Sequence, residues 1–444
     1  MKLNGSDIIA EVLIEQGVDT IFGYPGGAVL NIYDALYKYR DKIHHILTAH
    51  EQGASHAADG YARATGKTGV VIATSGPGAT NLVTGIATAY MDSIPMVAIT
   101  GNVGTSYIGK DAFQEVYITG ITMPITKHNF FVSDIKELAP TLREAFKIAN
   151  SGRKGPVLVD IPKDVTAAIT EYEKAAPEVI IDNTVINEDE VKKAAALINK
   201  AKRPVIEIGG GVVSSEASDL VRMLVNKTGA PCCHTLMAAG VLGYSERLNY
   251  GLVGMHGSFV TNKAIDEADV LVAIGTRFSD RVALNTNRFA HKAKVIQIDI
   301  DLSEIDKNVK VDHALVGDVK TIVMDLLHYV KQSDRTEWLK TLDEYKKSDY
   351  HPVDSDKYIT PHQLIRAICE NVPKDTVYVT DVGQHQMWAA QYYKYKEPRT
   401  LLTSGGLGTM GYGLGASIGA KMGRKDKTVI NVAGDGCFRM NMNE

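Results

Sequence analysis

Short, continuously apolar runs alternate along this chain with longer stretches in which apolar residues recur at helical spacing. At the start, Ser6 can cap a helix with apolar positions at Ile9, Val12 and Leu13, which Gly17 can end. The apolar runs that follow have the length and composition of strands buried on both faces, a pattern typical of parallel sheets in α/β proteins. In the first third of the chain these runs are residues 20–22, 43–47, 69–73 and 96–99.

The strand pattern recurs twice more along the chain. Further apolar runs lie within residues 203–330 and 377–432, and polar, charged stretches around residues 171–187 and 334–356 separate the three sets. The pattern therefore predicts three doubly wound α/β domains with parallel sheets. Their predicted bounds are residues 1–170, 185–335 and 355–444.

The composition is that of an ordinary globular protein, with 45% hydrophobic and 23% charged residues in a chain of 444. A net charge of -4 provides neither the basic surface that nucleic acid requires nor a polybasic patch for a membrane. The four cysteines include the adjacent pair Cys232 and Cys233 and show no zinc-binding spacing, which favours reduced thiols. The first residues have no secretory or transit character, so we expect a cytoplasmic protein without membrane spans.

The last set of apolar runs ends in a candidate metal site. Residues 428–433 lead into Gly434-Asp435-Gly436, whose glycines let the backbone approach a ligand closely. A carboxylate there suits Mg²⁺ bound to phosphate, although Asp and Gly are also the commonest residues of ordinary turns. Upstream, residues 406–411 match G-x-G-x-x-G and open a helical stretch. Alone this match is weak, but exposed amides at a helix start suit a phosphate.

Two turns of the first domain follow successive predicted strands. Glu51 comes directly after the strand that ends at His50, and residues 74–81 form a turn rich in Gly, Pro, Ser and Thr. Each has a plain structural interpretation, because the helix dipole favours a glutamate in the first turn and glycine and proline punctuate loops. Open α/β sheets nevertheless bind ligands at the carboxyl ends of their strands, where both turns lie.

Seven segments, taken together, resemble the large catalytic subunit of acetohydroxyacid synthase (acetolactate synthase), and the resemblance is collinear over the whole chain. This family uses thiamine diphosphate (ThDP), Mg²⁺ and FAD. The resemblance implies that pyruvate loses CO₂ and that the remaining two-carbon unit joins a second 2-keto acid, giving 2-acetolactate or 2-aceto-2-hydroxybutyrate for branched-chain amino acid biosynthesis. The segments are residues 23–28, 50–54, 74–78, 111–115, 126–130, 383–388 and 434–436, which read GYPGGA, HEQGA, TSGPG, DAFQE, TKHNF, GQHQMW and GDG.

The resemblance implies a ThDP site shared between subunits. Glu51 would bond the pyrimidine ring of ThDP, and Asp435 would hold Mg²⁺. Because the family places these two residues in different subunits, at least a homodimer, or a homotetramer, is implied, with a regulatory small subunit as a further partner. Met410 has the plain alternative of a core methionine. The other implied ThDP contacts are Gly383, Gln384, His385, Gly408, Met410, Gly434 and Gly436.

The resemblance also implies a substrate site. Gln114 and Lys127 join Glu51 as implied catalytic residues. A keto-acid carboxylate needs a cation nearby, yet Lys127 and Arg281 have the plain alternative of solvated surface charges. Gly104 stands where the family usually has proline, which loosens the loop near the implied substrate channel. The implied substrate contacts are Gly27, Ala28, Phe113 and Arg281.

The middle domain resembles the FAD-binding domain of the family. A glycine triplet after a strand permits close approach to a diphosphate, and Asp299 at a strand end can accept from a ribose hydroxyl. Ser279 replaces the commoner Asp, which removes one negative charge near the implied flavin. The implied FAD contacts are Arg153, Gly209, Gly210, Gly211, Thr235, Leu236, Met237, Met255, His256, Gly257, Arg277, Asp299, Ile300 and Asp318.

Two alternatives to a working synthase stay open. The family's metal motif needs an asparagine pair well beyond the Gly-Asp-Gly turn, and Asn441 and Asn443 lie too close to it. We therefore expect a C-terminally truncated chain with an incomplete third domain and, as one alternative, a catalytically incompetent fragment. The other alternative is a sister ThDP and FAD enzyme such as a pyruvate oxidase.

Overall fold

The computed structural model describes residues 1–178, 180, 184–185 and 187–444, so the predicted linker at residues 171–187 lies partly outside the described residues. The chain forms two compact units. Unit 1 comprises Met1–Ile181, Val377–Gly383 and Leu402–Glu444, and unit 2 comprises Asp182–Thr376 and Gln384–Leu401.

Strands and helices alternate along most of the chain. The strands are β1 (Lys2–Asn4), β2 (Thr20–Gly23), β3 (His44–Leu47), β4 (Gly69–Ala73), β5 (Met96–Asn102), β6 (His128–Phe131), β7 (Pro156–Pro162), β8 (Ile169–Glu171), β9 (Pro204–Ile208), β10 (Cys232–His234), β11 (Asn249–Leu252), β12 (Val270–Ile274), β13 (Lys294–Asp299), β14 (His313–Val316), β15 (Val377–Thr380), β16 (Leu401–Leu402) and β17 (Val429–Val432).

The α-helices are α1 (Gly5–Glu15), α2 (Leu30–Lys38), α3 (Glu51–Thr65), α4 (Pro77–Asn81), α5 (Val83–Met91), α6 (Ile118–Thr122), α7 (Ile135–Asn150), α8 (Lys163–Ala167), α9 (Glu188–Lys200), α10 (Gly210–Ser214), α11 (Ser218–Thr228), α12 (Phe259–Glu267), α13 (Val319–Tyr329), α14 (Thr336–Lys346), α15 (Pro361–Asn371), α16 (Gln384–Tyr392), α17 (Tyr412–Gly423) and α18 (Asp435–Met440). Short 3-10 helices lie at Thr105–Tyr107, Met123–Ile125, Leu236–Ala238 and Leu302–Glu304.

A six-stranded sheet in the order β3-β2-β4-β5-β7-β6 forms the centre of unit 1, and its neighbouring strands are parallel. Strands β2 to β5 coincide with the four predicted apolar runs to within a few residues. One face of the sheet is covered by α1 and α7 through residues such as Leu13 and Leu142. The other face is covered by α3 and α5 through residues such as Ala57 and Ile86, so the sheet is doubly wound.

Unit 1 also contains a short antiparallel pair that the sequence pattern does not predict. Strands β1 and β8 pair so that Lys2 lies opposite Glu171 and Asn4 opposite Ile169. Three residues each are too few to show a strand period, and the pairing joins positions far apart in the chain. The first residues of the chain are thereby fixed to the end of the first predicted domain.

The strands of the third predicted domain form the sheet β16-β15-β17, in which β15 and β17 are parallel. Helix α17 packs on this sheet and also against α3 within unit 1. Glycine makes the close approach of α17 to α3 feasible, because a Cβ on Gly60 would lie 2.1 Å from the Ala416 carbonyl oxygen. The residues predicted as the third domain, 355–444, are thus found in both units. The bounds of the three predicted domains stay predictions.

A second six-stranded parallel sheet, in the order β11-β10-β9-β12-β13-β14, forms the centre of unit 2. Helices α9, α11 and α13 cover one face, and α12 and α14 cover the other. The predicted α/β class with doubly wound parallel sheets is therefore confirmed. Within the described ranges, no helix combines the length and apolar character needed to cross a membrane.

Candidate active site

Strand-end turns of unit 1 meet around a buried carboxylate. Glu51 is the first residue of α3 and follows His50, whose Nδ1 caps the helix by accepting from the Gln52 N–H. The Glu51 side chain is buried, and its Oε2 accepts from Asn81 Nδ2 at 2.9 Å. A Cβ on Gly78 would lie 3.0 Å from Oε1, so the turn after β4 lies directly against this carboxylate.

The turns after β2 and β4 share a contact through Thr74. Its Oγ1 accepts from the Ala28 N–H at 3.3 Å, and a Cβ on Gly26 would lie 2.5 Å from the Thr74 side chain. Gly27 has open space on its Cβ side and is exposed. The structure therefore brings residues 26–28 to the same edge of the sheet as Glu51, as the strand-end argument predicts.

Gln114 lies against this group of turns. Its backbone adopts a positive φ of 61°, and a Cβ on Gly76 would lie 2.9 Å from the Gln114 Cα. The neighbouring Phe113 is 88% exposed. The loop that carries both residues is braced by Glu115, whose carboxylate accepts from the Gly109 and Ala112 N–H groups. These backbone bonds lower the pKa of Glu115.

Lys127 is not brought to this site within the chain. It directly precedes β6, and its N–H donates to the carbonyl of Pro156 at the start of β7, so it lies at the amino edge of the parallel sheet. Its ammonium donates to the carbonyls of Ile148 and Ser151, and burial lowers its pKa to about 8. Strand direction separates Lys127 from Glu51 within this chain. The bonds and burial of its ammonium contradict the alternative of a freely solvated charge. Its implied catalytic role stays a prediction.

A second carboxylate at the start of α3 was missed by the sequence analysis. The Glu444 side chain accepts from the N–H groups of Ala49 and His50, at 2.9 and 3.0 Å. A Cβ on Gly53 would lie 2.1 Å from Glu444 Oε1, so this approach requires glycine in the first turn of α3. Gly53, two residues after Glu51, was the one available signal for such a contact.

The glycine-rich turn at residues 406–411 differs from the predicted phosphate site. The N–H groups of Gly411 and Gly413, at the start of α17, donate to the two carboxylate oxygens of Asp381 at 2.9 Å each. Asp381 is buried directly after β15. The prediction that these helix-start amides are exposed is therefore wrong, because a protein carboxylate already binds them.

The turn that precedes α17 leaves space for a ligand beside its backbone. Gly408 is exposed, has a φ of 69°, and has nothing within 4 Å of the position of a Cβ. Gly436 has the same open space, beside the exposed Asp435 at the start of α18. Met410 is 45% exposed, so the alternative of a core methionine is wrong. Open glycine backbone and an exposed carboxylate fit a diphosphate with its Mg²⁺.

The metal role of Asp435 depends on ligands of other kinds. Among the residues that the structure describes, no group of three or more His, Cys, Asp or Glu could hold a metal ion. Mg²⁺ commonly keeps waters and phosphate oxygens beside one or two carboxylates. Asp435 thus fits as a single carboxylate ligand that shares Mg²⁺ with a diphosphate, and this assignment stays a prediction.

Almost all the implied FAD contacts lie at one edge of the unit 2 sheet. They follow the carboxyl ends of six parallel strands, the edge at which open α/β sheets bind ligands. Only Arg153 among them belongs to unit 1, where its Nε donates to Ser93 Oγ. By strand, the contacts are Gly209–Gly211 after β9, Thr235–Met237 after β10, Met255–Gly257 after β11, Arg277 after β12, Asp299 and Ile300 at β13, and Asp318 after β14.

The glycine triplet has a packing role that needs no ligand. A Cβ on Gly209 would lie 2.2 Å from the Gly275 carbonyl oxygen, and one on Gly211 would lie 2.6 Å from the Gly275 Cα. The Gly211 N–H also donates to the Gly275 carbonyl. Two neighbouring strand-end turns thus touch through backbone alone. Gly210 differs, because a Cβ there would meet only the Met237 side chain, so its implied diphosphate contact stays a prediction.

Two predicted FAD carboxylates have structural partners. Asp318 caps α13 by accepting from the Lys320 and Thr321 N–H groups, and it also accepts from Ser215 Oγ. Asp299 is buried at the end of β13 and accepts from the Asp301 N–H at 2.9 Å. Helix capping is sufficient to explain Asp318, whereas Asp299 keeps the strand-end position expected of a ribose ligand. Both FAD assignments stay predictions.

Three of the remaining predicted contacts, Arg281, Gln384 and His385, belong to unit 2. Arg281 is exposed, lies 3.6 Å from Asp280, and donates to Met255 Sδ at 3.5 Å. Its exposure is also that of an ordinary surface charge, and its implied substrate role stays a prediction. Gln384 and His385 begin α16, while Gly383 belongs to unit 1.

The fold and the site are those of the class of ThDP-dependent enzymes. They combine parallel α/β sheets, a buried strand-end glutamate, and an open glycine turn followed by a strand-end aspartate. Three protein families match, described as Thiamine pyrophosphate enzyme, N-terminal TPP binding domain (residues 3–121), central domain (191–326) and C-terminal TPP binding domain (381–444). Together they cover most of the chain. The family's cofactors are ThDP and Mg²⁺, and FAD is typical of this enzyme class.

Curated relatives identify a narrower family within the ThDP-dependent enzymes. The "Probable acetolactate synthase large subunit" of Methanocaldococcus jannaschii is 48% identical over 458 residues, covering 100% of this chain and 77% of its own. The "Acetolactate synthase" of Mycobacterium leprae is 48% identical, covering 100% and 72%, and the "Acetolactate synthase large subunit" of Lactococcus lactis is 45% identical, covering 99% and 77%. The chain belongs to the acetolactate synthase large subunit family.

These relatives favour a synthase over the two alternatives. They are named as acetolactate synthases, which does not favour a pyruvate oxidase or a fragment without activity. The expected C-terminal truncation gains no support from the comparisons. The resemblance found in the sequence is confirmed.

Proposed function

We propose that this protein catalyses acetolactate synthesis: it decarboxylates pyruvate on ThDP and transfers the two-carbon unit to a second 2-keto acid, which gives 2-acetolactate or 2-aceto-2-hydroxybutyrate. The observation that carries this proposal is the buried Glu51 carboxylate at the start of α3, packed under the turn at residues 74–81. When bound, ThDP supplies a nucleophilic carbon and an acceptor for the electron pair released with CO₂.

Glu51 has the geometry of a proton-holding residue. Asn81 donates to Oε2, so the other oxygen, Oε1, has no donor among the described residues. A carboxyl oxygen left open in a buried site can exchange a proton with one nitrogen of a bound pyrimidine. The Asn81 bond fixes the rotamer, so Glu51 would meet the ring in one orientation.

The loop at residues 111–115 would position the keto acids. Gln114 touches Gly76, and residues 26–28 touch Thr74, so both segments lie beside Glu51 at the carboxyl edge. A side-chain amide there can donate to a keto oxygen, and the exposed Phe113 provides an apolar wall. The resemblance implies Arg281 or Lys127 as the cation for the substrate carboxylate, but within this chain Lys127 lies at the opposite, amino edge of the sheet.

We propose that the protein works as a homodimer or larger homo-oligomer in the cytoplasm, with a regulatory small subunit as a further partner. One stretch of unit 1 carries exposed large apolar side chains, which in a folded protein mark a contact surface. They are Tyr107 at 60%, Phe113 at 88%, Tyr117 at 73% and Met123 at 63% exposure. Sedimentation equilibrium at micromolar concentration should give a dimer or larger, and a monomer would contradict this part of the proposal.

A reconstitution assay tests the proposed reaction. The protein is incubated with pyruvate, ThDP, Mg²⁺ and FAD, with and without added 2-ketobutyrate, and acetolactate and hydrogen peroxide are measured. We expect acetolactate without peroxide, and its loss in Glu51→Gln. No acetolactate beside a working relative assayed in parallel would refute the proposal, whereas peroxide formed with flavin reduction would indicate an oxidase.

A further inference from the structure

Two side chains at the end of α5 contact the glycine-rich turn that precedes α17. Asp92, the C-cap residue that directly follows α5, accepts from the Gly405 N–H at 2.9 Å and from the Gly406 N–H at 2.7 Å. One helical turn earlier, the hydroxyls of Thr88 and Thr409 lie 2.7 Å apart. Because residues four apart share a helix face, α5 contacts the turn on both sides of its exposed segment.

Arg63 fixes the orientation of Asp92. Its Nη2 donates to Asp92 Oδ2 at 2.9 Å, and its Nη1 donates to the Thr403 carbonyl at 2.9 Å. On its other side, Arg63 forms a bidentate pair with Asp59, to which the Tyr412 hydroxyl also donates at 2.7 Å. Arg63 is buried, so the planar guanidinium bridges α3, Asp92 and the backbone at Thr403 in one arrangement.

The bonds between Asp92 and the turn join an exposed backbone to a buried side chain. Residues 405–408 are exposed, whereas the Asp92 side chain is only 1% exposed. A buried carboxylate that accepts from two backbone amides makes strong, charge-assisted bonds. Gly406 has to be glycine for this approach, because a Cβ would lie 2.9 Å from Asp92 Oδ1 and 3.0 Å from the Met91 Cβ.

We propose that Asp92 is a positioning residue for the ThDP-binding turn. Its carboxylate, oriented by Arg63, holds Gly405 and Gly406, and thereby sets the position of Gly408 and Met410. This inference rests on the proposed function, because it takes Gly408 and Met410 as the cofactor contacts. Asp92 acts through the backbone and itself touches no reacting atom.

The test compares Asp92→Asn with Asp19→Asn in the full chain. Asp92→Asn keeps the shape of the side chain but replaces one acceptor oxygen with a donor that faces an N–H donor. Asp19 is a matched control, because it accepts from Lys67 and Tyr61 in the same unit and does not contact the turn. ThDP affinity is measured by titration calorimetry with Mg²⁺ present, and hydrogen exchange of residues 403–411 is measured without cofactor.

We expect Asp92→Asn to raise the Kd for ThDP at least about tenfold and to speed amide exchange in residues 403–411 at least about tenfold. The control should change neither, and kcat of Asp92→Asn at saturating ThDP should stay near that of the unmodified protein. A merely structural role would lower the Tm but leave the Kd for ThDP unchanged, and that result would overturn the inference.

The outcomes separate this inference from the proposed function. If the unmodified protein binds no ThDP, the proposed function is refuted. If the unmodified protein and Asp92→Asn bind ThDP with equal affinity, only the inference is refuted. If Asp92→Asn does not fold, exchange in the unmodified protein decides. The Gly405 and Gly406 amides should exchange at least about a hundredfold more slowly than free amides, although both residues are exposed; free-amide rates would overturn the inference.

Discussion

A buried glutamate in unit 2 makes the stability of this protein depend on pH in a direction that can be calculated. Glu207 lies in the middle of β9 and is 0% exposed. Its Oε1 accepts from Thr276 Oγ1 at 2.8 Å, while Oε2 has no donor among the described residues. Nearby, Gln297 donates to the Thr276 carbonyl and its Oε1 also lacks a donor. Burial raises the pKa of Glu207 from an ordinary 4.5 to about 7, against the lowering effect of Thr276.

The sign of the effect follows from proton binding. Below pH 4.5 the carboxyl is protonated in both the folded and the unfolded chain, so the contribution to stability is full there. Between pH 4.5 and about 7 the folded chain keeps a proton that the unfolded chain has lost, so the free energy of unfolding falls as pH rises. At about 1.4 kcal/mol per pH unit, the rise of the pKa from 4.5 to about 7 corresponds to a loss of about 3 kcal/mol by pH 8.

Glu207→Gln should remove this dependence, because glutamine keeps an acceptor for Thr276 and does not ionise. Both tryptophans, Trp338 and Trp388, belong to unit 2, and the Trp338 indole donates to the Pro204 carbonyl at the start of β9. Urea unfolding followed by tryptophan fluorescence at pH 5, 6, 7 and 8 therefore reports the unit that contains Glu207. The exposed Glu337→Gln on α14 is the control and should keep the original slope.

The refuting result is specific. If the free energies of unfolding of Glu207→Gln and the unmodified protein differ by the same amount at pH 5 and pH 8, burial does not hold a proton on Glu207. We expect the difference to grow in favour of the variant by about 2.5 kcal/mol over that interval.

Three further predictions concern unit 1. Glu51→Gln should lower acetolactate formation at least about a hundredfold with a Tm within a few degrees of the unmodified protein; retained activity in the reconstitution assay would contradict the proposed role. Arg63→Met removes the cation shared by two buried carboxylates, Asp59 and Asp92, and should cost about 3–5 kcal/mol in urea unfolding followed by circular dichroism. The control Lys67→Met, at an exposed position, should cost under about 1 kcal/mol. Asp381→Asn weakens the bonds at the start of α17 and should cost about 1–2 kcal/mol in the same assay; no change would mean that these amides need no carboxylate.

The sheets were predictable because burial on both faces leaves a direct mark in the sequence. Residues 69–73 are apolar throughout, and β4 spans the same residues. Strand direction then made the carboxyl edge, with Glu51 and residues 74–81, predictable as well. The short pair β1 and β8 left no such mark, because three residues show no period and their partners lie far apart in the chain.

The side chains that hold the site in place were not predictable in the same way. Asp92 meets Gly405 and Gly406 across more than 300 positions of sequence, and Arg63 reaches Thr403 across 340. Nothing local to Asp92 distinguishes it from an ordinary helix-end aspartate. Their roles depend on the packing of α17 against α3, and hence on small residues such as Gly60. Because small residues add little to the hydrophobic pattern of a sequence, their contacts could not be predicted from that pattern.

The glycine motif at residues 406–411 shows how a sequence motif can be present without binding its usual ligand at the usual place. The motif does precede a helix, as G-x-G-x-x-G predicts, but the Asp381 carboxylate occupies the N–H groups of Gly411 and Gly413. A phosphate placed there would displace hydrogen bonds already made and meet a buried negative charge, which costs more than the helix dipole returns. A diphosphate is therefore better placed one step earlier, at the open backbone of Gly408. That backbone is the segment anchored through Asp92, so the helix start holds the turn while the turn is left to bind the ligand.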